Sequence, residues 1–293
     1  MKKYFSLLLA FVLVLSIVAC SSTTNVPTDQ KPVQTEAQEP QVSPPQNPVI
    51  RLSTTTSVND SGLLPYLQPY FEKDTCYTLE ISSAGTGAAI EKGRTGDADC
   101  LLVHAKASEE EFIKEGYGVE RIPFMYNYFV IIGPADDPAG IKGSASASEA
   151  FKKISDKGSI FVSRGDDSGT HKAELKIWKA AGIDPSKEEW YVSTGQGMGA
   201  SIIVASEKQG YILTDKATYL SHELKGFFDI LLEESDELKN TYSMIAVSTD
   251  KWKDTNIDGA NAFIKWMTSE KASDLIAEYG AKEYGQQLFF VGN

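Results

Sequence analysis

Four short segments of the sequence are rich in glycine, in hydroxyl side chains or in both, and one of them also contains an arginine. They are residues 54–57 (TTTS), 83–87 (SAGTG), 164–170 (RGDDSGT) and 195–199 (GQGMG). Backbone N–H groups, hydroxyls and a guanidinium are all hydrogen-bond donors, so together they suit an anion. A single segment of this kind is most often a plain helix cap. Four of them in one chain favour a joint anion-binding site.

Fully deprotonated tetrahedral anions match such a set of donors. Tungstate, molybdate and sulfate carry no proton at neutral pH, so their oxygens only accept hydrogen bonds and a complementary pocket needs no acceptor. Each hydrogen bond to a charged group contributes about 1.5–3 kcal/mol, and roughly six or seven of them give a gross ~10–20 kcal/mol. That sum allows a nanomolar site, at about −12 kcal/mol, after the costs of ordering.

Each of the four segments lies between a predicted strand and a predicted helix. Strands are predicted at residues 49–55, 77–82, 100–104, 124–133, 159–163, 191–193, 211–214 and 242–248. Helices are predicted at residues 63–73, 88–94, 108–115, 149–157, 169–181, 200–208, 260–267 and 269–279. This alternation predicts an α/β fold with a mostly parallel sheet and helices on both of its faces. In such sheets ligands bind at the carboxyl ends of the strands, where the four segments lie.

The first twenty residues have the pattern of a secretory signal. Lys2 and Lys3 precede an apolar run at residues 7–18, which at ~1.5 Å per residue is too short to span a ~30 Å hydrocarbon core. The run ends in the sequence IVACS, which resembles the lipobox of bacterial lipoproteins. We therefore predict a signal peptide at residues 1–19 and lipidation of Cys20. An ordinary signal peptide with a cysteine near its cleavage site is the alternative.

The next segment differs in composition from the rest of the chain. Residues 21–48 contain six of the 12 prolines together with many Gln, Thr and Ser residues. Such a segment buries too little apolar area to fold by itself, so we predict an extended tether at residues 20–48. The remaining body, residues 49–293, is long enough for about two domains. The net charge of −12 argues against a general nucleic-acid binder, because phosphate contacts need clustered Lys and Arg.

The cysteines and histidines do not predict a metal centre. Cys76 and Cys100 lie at the starts of two predicted strands that flank a third, which separates the cysteines by about 9.5 Å, and a disulfide needs Cα atoms within about 7 Å. His104, His171 and His222 are scattered along the chain and have no zinc spacing. We therefore expect neither a disulfide between Cys76 and Cys100 nor a bound metal cation or other cofactor.

Several motifs of the body resemble the tungstate-binding proteins of Tup-type ABC transporters. The two most specific are residues 52–64 (LSTTTSVNDSGLL) and residues 161–172 (FVSRGDDSGTHK). Shorter matches are found at residues 96–105, 115–121, 196–199 and 213–215. Together they cover nearly the whole body. The sequence departs from the family's pattern at Cys76, in a turn, and at Tyr128, where an acidic residue is expected in an interlobe strand.

The resemblance implies the two-lobed fold of class II solute-binding proteins, in which each lobe is a mixed sheet flanked by helices. Lobe 1 is then formed by residues 49–130 and 245–293, and lobe 2 by residues 131–244. The strands at 124–133 and 242–248 cross between the lobes, and the oxyanion lies between them. The ligand-binding residues that the matching motifs imply are Thr55, Thr56, Ser57, Gly85, Thr86, Gly87, Arg164, Ser168, Gly169, Thr170 and Gly197.

The function that this resemblance implies is capture and delivery rather than catalysis. The protein is expected to be a monomeric lipoprotein, held on the outer side of the cytoplasmic membrane by Cys20. It would bind tungstate or molybdate, between which the sequence does not choose, and deliver the anion to an ABC permease. The metal would be bound only as its oxyanion.

The sequence leaves two alternatives open. The pattern R-x-x-x-S-G-T at residues 164–170 also resembles phosphate-binding members of the superfamily, so phosphate or sulfate is the second candidate ligand. Those proteins place an Asp in the pocket to accept the proton of hydrogen phosphate, and His104 lies roughly at that position. A histidine can donate a hydrogen bond, or accept one when it is neutral, so its presence in place of an Asp favours a deprotonated oxyanion without deciding the question. His104 is equally explained as a strand-end residue satisfied by local backbone.

A hydrolase is the remote alternative. Ser168, His171 and Asp166 are the residue types of a nucleophile, a base and an orienting acid. However, His171 lies one turn into the helix that Ser168 caps, so its side chain need not reach the serine hydroxyl. The sequence also lacks a G-x-S-x-G motif. We therefore do not predict an enzyme.

Overall fold

The computed structural model describes residues 44–292. The predicted signal peptide, Cys20 and residues 21–43 of the predicted tether lie outside the described residues. Within the described part of the chain, no helix combines the length and the apolar character needed to cross a membrane.

Strands and helices alternate along the chain, as the sequence predicts. The strands are β1 (Val49–Thr55), β2 (Thr78–Ala84), β3 (Cys100–Val103), β4 (Ile122–Gly133), β5 (Phe161–Ser163), β6 (Tyr191–Ser193), β7 (Tyr211–Asp215), β8 (Asp229–Leu232), β9 (Lys239–Ala246) and β10 (Phe290–Val291). The helices are α1 (Thr56–Asp60), α2 (Leu63–Thr75), α3 (Thr86–Thr95), α4 (Lys106–Lys114), α5 (Ala147–Lys157), α6 (Gly169–Ala180), α7 (Met198–Lys208), α8 (Lys216–Ser221), α9 (Ile257–Met267), α10 (Glu270–Glu278) and α11 (Ala281–Tyr284). The short elements α1, α8, α11, β8 and β10 were not predicted, because runs of two to six residues carry too little periodicity.

The strands form one mixed sheet with the order β2-β1-β3-β9-β4-β7-β5-β6, and β8 and β10 also pair with β4. β1 is parallel to both β2 and β3, whereas β9 is antiparallel to β3 and β4. The α/β fold with a mixed sheet, which the family resemblance implies, is therefore confirmed. The mostly parallel sheet expected from the alternation alone is wrong, because β4 pairs antiparallel with β7, β8, β9 and β10, and β9 is also antiparallel to β3. β1 lies between β2 and β3 as expected, and Cys100 at the start of β3 is fully buried and forms no disulfide with Cys76 in the described structure.

Strand β4 connects two groups of strands. Its first half, up to Tyr128, pairs with β9 and β10, and its second half, from Phe129, pairs with β7 and β8. We call β1, β2, β3, β9 and β10 the first strand group, and β5, β6, β7 and β8 the second strand group. The two groups share only β4, so each of them brings its own loops to the region of the site.

Each strand group has hydrophobic clusters of its own. In the first group, Phe71 of α2 and Phe263 of α9 pack in one cluster, and Ile90 of α3 packs with Phe112 of α4 in another. In the second group, Phe151, Phe161 and Trp178 form an aromatic cluster between α5, β5 and α6, while Ile202 of α7 packs in a separate one. Burial of these side chains on helices that follow the strands fixes where each strand ends, and therefore where the loops emerge.

Candidate functional site

The four segments singled out in the sequence all connect a strand to the helix that follows it. Residues 54–57 join β1 to α1, and residues 83–87 join β2 to α3, with Gly85 as the cap of α3. Residues 164–170 join β5 to α6, with Ser168 as the cap, and residues 195–199 join β6 to α7, with Gly197 as the cap. The first two segments belong to the first strand group and the last two to the second.

Loops of the two strand groups approach each other closely. A Cβ atom placed on Gly87 would lie 3.1 Å from Oδ2 of Asp167, and one on Gly85 would lie 3.8 Å from the carbonyl oxygen of Asp166. The loop after β2 therefore faces the loop after β5. These contacts bring three of the predicted site residues, Gly85, Thr86 and Gly87, next to the segment that contains Arg164 and Ser168.

Arg164 is the buried cation of this region. Its Nη2 donates to Oδ2 of Asp166 at 2.5 Å, while Oδ1 of Asp166 accepts from the backbone N–H of Ser168 at 3.2 Å. Burial alone would raise the pKa of Asp166, but the Ser168 hydrogen bonds and the positive charge of Arg164 outweigh it and hold the pKa below its ordinary value. The carboxylate is therefore ionised and already engaged by donors of its own loop.

Four buried side-chain atoms in these loops have no hydrogen-bond partner among the described residues. They are Oγ1 of Thr86, Nδ1 of His104, Nε of Arg164 and Oγ1 of Thr170. The exposed fractions of Thr86, Arg164 and Thr170 are 0%, 3% and 2%. A buried polar group without a partner costs about 1–3 kcal/mol. Two hydroxyls and a guanidinium N–H are buried in this way without a partner, so the region is suited to a ligand that accepts several hydrogen bonds.

His104 joins the loop after β1 to the region. Its Nε2 is 3.0 Å from Oγ of Ser57, and that oxygen is 3.2 Å from Oγ1 of Thr55. Burial lowers the pKa of His104 to about 4, the Asn240 side chain opposes the shift, and the charge of Arg164 adds to it. The imidazole is therefore neutral at pH 7. The sequence identified His104 as the residue after β3 but did not include it in the predicted site.

The other predicted site residues differ in how closely they contact this region. Thr56 begins α1 and is half-buried, and Gly169 begins α6 with its Cα against the His104 ring. Ser168 caps α6 by accepting from the backbone N–H of His171 at 3.2 Å. Gly197 is exposed, and no described atom lies within 4 Å of the position that a Cβ on it would take. The structure therefore does not bring Gly197 into contact with the donors described above.

The geometry gives no support to a Ser168–His171 hydrolase. The Ser168 hydroxyl is engaged as a helix cap, and Nδ1 of His171 accepts from the backbone N–H of Asp167 at 3.1 Å. Among the described residues, no hydrogen bond joins the Ser168 hydroxyl to the His171 ring. The arrangement of an activated nucleophile, in which the serine contacts its base, is therefore not present in the described loops.

A buried polar cluster lies behind His104, where β4 is shared between the strand groups, and sequence reasoning missed it. Asn240 donates to Oδ1 of Asn127 at 3.0 Å and to the hydroxyl of Tyr242 at 2.8 Å, and Asn127 donates to Asp215. Burial raises the pKa of Asp215 to about 6. The Tyr242 ring is 5.0 Å from the His104 ring. A possible signal was Asn127, a polar residue within the otherwise apolar strand β4.

Comparisons with known proteins agree with this architecture. Residues 35–271 match the family described as the PBP superfamily domain. The tungstate-binding protein TupA of Peptoclostridium acidaminophilum is 43% identical over 292 residues, which cover 99% of this chain and 98% of that protein. The solved structure of the tungstate-binding protein TupA from Desulfovibrio alaskensis is 44% identical, with a TM-score of 0.74, and the match covers 84% of this chain and 99% of that one.

A second solved structure, that of the tungstate ABC transporter from Geobacter sulfurreducens, is also 44% identical. Its TM-score is 0.73, and the match covers 79% of this chain and 98% of that one. Identity at this level over nearly whole chains goes beyond a shared fold. The chain therefore belongs to the PBP superfamily and, within it, to the family of the TupA tungstate-binding proteins.

Proposed function

We propose that this protein binds tungstate, or the closely similar dianion molybdate, between the loops of its two strand groups and delivers it to an ABC permease. The observation that carries the proposal is the set of buried donors without partners, Thr86 from the first group and Arg164 and Thr170 from the second. The names of the relatives, which are tungstate-binding proteins, support the same ligand.

The donors match the chemistry of a metal-oxide dianion. Its four oxygens only accept, and each hydrogen bond from a hydroxyl or guanidinium to a charged oxygen contributes about 1.5–3 kcal/mol. Thr55, Thr56 and Ser57, with the turn around Gly85 and Gly87, are the further contributors proposed from the first strand group. Ser168 and Gly169 are those proposed from the second, and Gly197 remains a predicted member. The Arg164 charge offsets that of Asp166, so the pocket is not dominated by a carboxylate.

An anion that contacts both strand groups favours the arrangement in which they are together. The loop that contains Gly87 faces the loop that contains Asp167, and separation of the groups would expose the donors to water. A ligand shifts this equilibrium by the difference between its affinities for the closed and open states. We propose that the permease recognises the closed arrangement.

The lobes proposed for this movement follow the two halves of β4. Lobe 1 corresponds to residues 49–130 and 245–293, and lobe 2 to residues 131–244. One crossing lies near Tyr128 and Phe129, where the partners of β4 change. Strand β9 pairs along its length with β3 and with the first half of β4. This pairing favours placing the second crossing between β8 and β9, a few residues before the predicted boundary.

Delivery to a permease implies a location outside the cytoplasm, and we propose that Cys20 anchors a monomeric protein to the membrane through a lipid. Labelled fatty acid should be incorporated into the wild-type protein and not into a Cys20→Ser variant, which should also be released from membranes. Lipid attached to the Cys20→Ser variant would contradict the anchor. The relatives are binding proteins, and we propose no catalytic activity for this one.

A titration with four anions tests the proposed ligand. Calorimetry of the purified protein should give nanomolar dissociation constants for tungstate and molybdate. Sulfate should bind less tightly because it is smaller than the other two dianions. Hydrogen phosphate should bind weakly, because Asp166 is already engaged by Arg164 and by Ser168 and cannot readily accept its proton. Tight phosphate binding with weak tungstate binding would refute the proposal.

A further inference from the structure

His104 lies where the loops of the two strand groups meet. It follows β3 directly, so its backbone belongs to the first strand group. Its Nε2 is 3.0 Å from Oγ of Ser57, which is 3.2 Å from Oγ1 of Thr55. These hydrogen bonds connect the end of β3 to the loop after β1, so the orientation of the Ser57 hydroxyl depends on the imidazole.

The other side of the His104 ring contacts the second strand group. A Cβ atom on Gly169 would lie 2.8 Å from Nε2 and 2.9 Å from Nδ1 of His104, and closer still to Cε1. Cβ atoms do not approach other atoms at such distances, so the ring reaches the first turn of α6 only because residue 169 is glycine. Gly169 does not have a positive φ angle, so this requirement is one of space and not of backbone conformation.

The surroundings of His104 hold the ring in place without giving it a charge. The rings of Tyr242 and Phe129 lie 5.0 and 6.4 Å from it, measured between centroids. Its Nδ1 is buried without a hydrogen-bond partner among residues 44–292. A neutral imidazole can donate a hydrogen bond to a hydroxyl or accept one from it. Unlike a carboxylate, it carries no negative charge that would repel a dianion.

We infer that His104 is a positioning residue of the anion site, which holds the Ser57 hydroxyl in line with the ligand when α6 is seated against it. This inference rests on the proposed function. His104 itself acts through Ser57 on one side and through its contact with Gly169 on the other. The site is therefore complete only when the two strand groups are together, and His104 links its assembly to their approach.

A pair of substitutions at His104 tests the link to Ser57. His104→Leu removes both ring nitrogens, so the Ser57 hydroxyl is no longer held toward the ligand. The tungstate affinity is expected to fall about tenfold or more, which corresponds to the loss of the one hydrogen bond from Ser57 to the charged ligand. His104→Gln returns a polar group near the position of Nε2 and should recover affinity to within about threefold of wild type. Circular dichroism of each variant establishes that it is folded.

A double-mutant cycle tests the contact with α6. Gly169→Ala alone should weaken tungstate binding by about a hundredfold or more, because the new methyl group meets the His104 ring as the loops close. In a His104→Ala background the same change should cost less than about threefold, because the nearest atoms to the new Cβ all belong to His104. If Gly169→Ala only destabilised α6, the loss of affinity in the double variant would equal the sum of the losses in the two single variants.

The outcomes separate this inference from the proposed function. Binding by His104→Leu as tight as that of wild type, or additive losses in the Gly169 cycle, would overturn the role of His104 while leaving tungstate binding intact. Wild-type protein that binds no tungstate would overturn the proposed function and this inference with it. A loss with His104→Leu, recovery with His104→Gln and a non-additive cycle support the inference.

Discussion

Replacing Thr86 with valine separates a binding role from a structural one. The Thr86 side chain is fully buried, and its hydroxyl has no partner among the described residues. In the proposed complex this hydroxyl donates to a charged oxygen, so Thr86→Val removes one such bond while nearly preserving the shape of the side chain. The loss of about 1.5–3 kcal/mol corresponds to a tungstate affinity roughly 10- to 150-fold weaker.

The free protein should respond differently to the same change. A buried hydroxyl without a partner costs about 1–3 kcal/mol, so its removal should leave the free energy of unfolding unchanged or raise it by up to ~2 kcal/mol. Thr255 is the matched control, because its hydroxyl is also buried without a partner among the described residues but belongs to the segment before α9. Thr255→Val should show the same gain in stability with no loss of affinity.

Calorimetric titration with tungstate and urea unfolding, performed on both variants, provide the two quantities. Tungstate binding by Thr86→Val within twofold of wild type would show that the Thr86 hydroxyl does not contact the anion. The proposed contact is equally refuted if Thr255→Val weakens binding as much as Thr86→Val does. In that case the loss of affinity would reflect a general change in the protein and not a lost contact with the anion.

Three further predictions concern charge, protonation and packing. Arg164→Ala should weaken tungstate binding by well over tenfold with the fold retained in circular dichroism, whereas Arg94→Ala, which breaks a pair with Glu115, should not alter affinity. Burial raises the pKa of Glu174 from 4.5 to about 7, so the folded state retains a proton that the unfolded state releases between these values. The contribution of Glu174 to the free energy of unfolding should therefore fall as pH rises through that range. Urea unfolding of Glu174→Gln at several pH values should lack this fall. If the free energy of unfolding of both proteins changes in parallel with pH, the prediction is wrong. Gly96→Ala should cost more stability than Gly140→Ala, because both positions have positive φ angles but only the Cβ at residue 96 would meet a side chain, that of Trp252 at 2.7 Å; equal losses in thermal unfolding would refute this.

The sequence carried enough information to predict the alternation of elements and three of the unpartnered donors. Apolar periodicity predicted the long elements, and the composition of the strand-to-helix segments pointed to Thr86, Arg164 and Thr170. These residues lie in segments whose local chemistry is visible in a few consecutive letters. The motifs that resemble the tungstate-binding family then connected the segments into one predicted site.

Contacts between distant parts of the chain could not be predicted in this way. Ser57 and His104 are 47 residues apart, and Asn127 and Asn240 are 113 residues apart. Their pairing depends on strand order and on register, which a single sequence does not specify. The composition of residues 195–199 likewise does not specify how far Gly197 lies from the buried donors; it is exposed, and its role in the site stays a prediction.

The most direct test of the account is the position of the bound anion. Crystals of the protein grown with tungstate and measured at an absorption edge of tungsten give that position from anomalous scattering. We predict one tungsten atom between the strand groups, with the oxygens bound to it at about 2.7–3.0 Å from Oγ1 of Thr86, Nε of Arg164 and Oγ1 of Thr170. A tungsten atom that contacts only one strand group, or lies away from these three atoms, would contradict it.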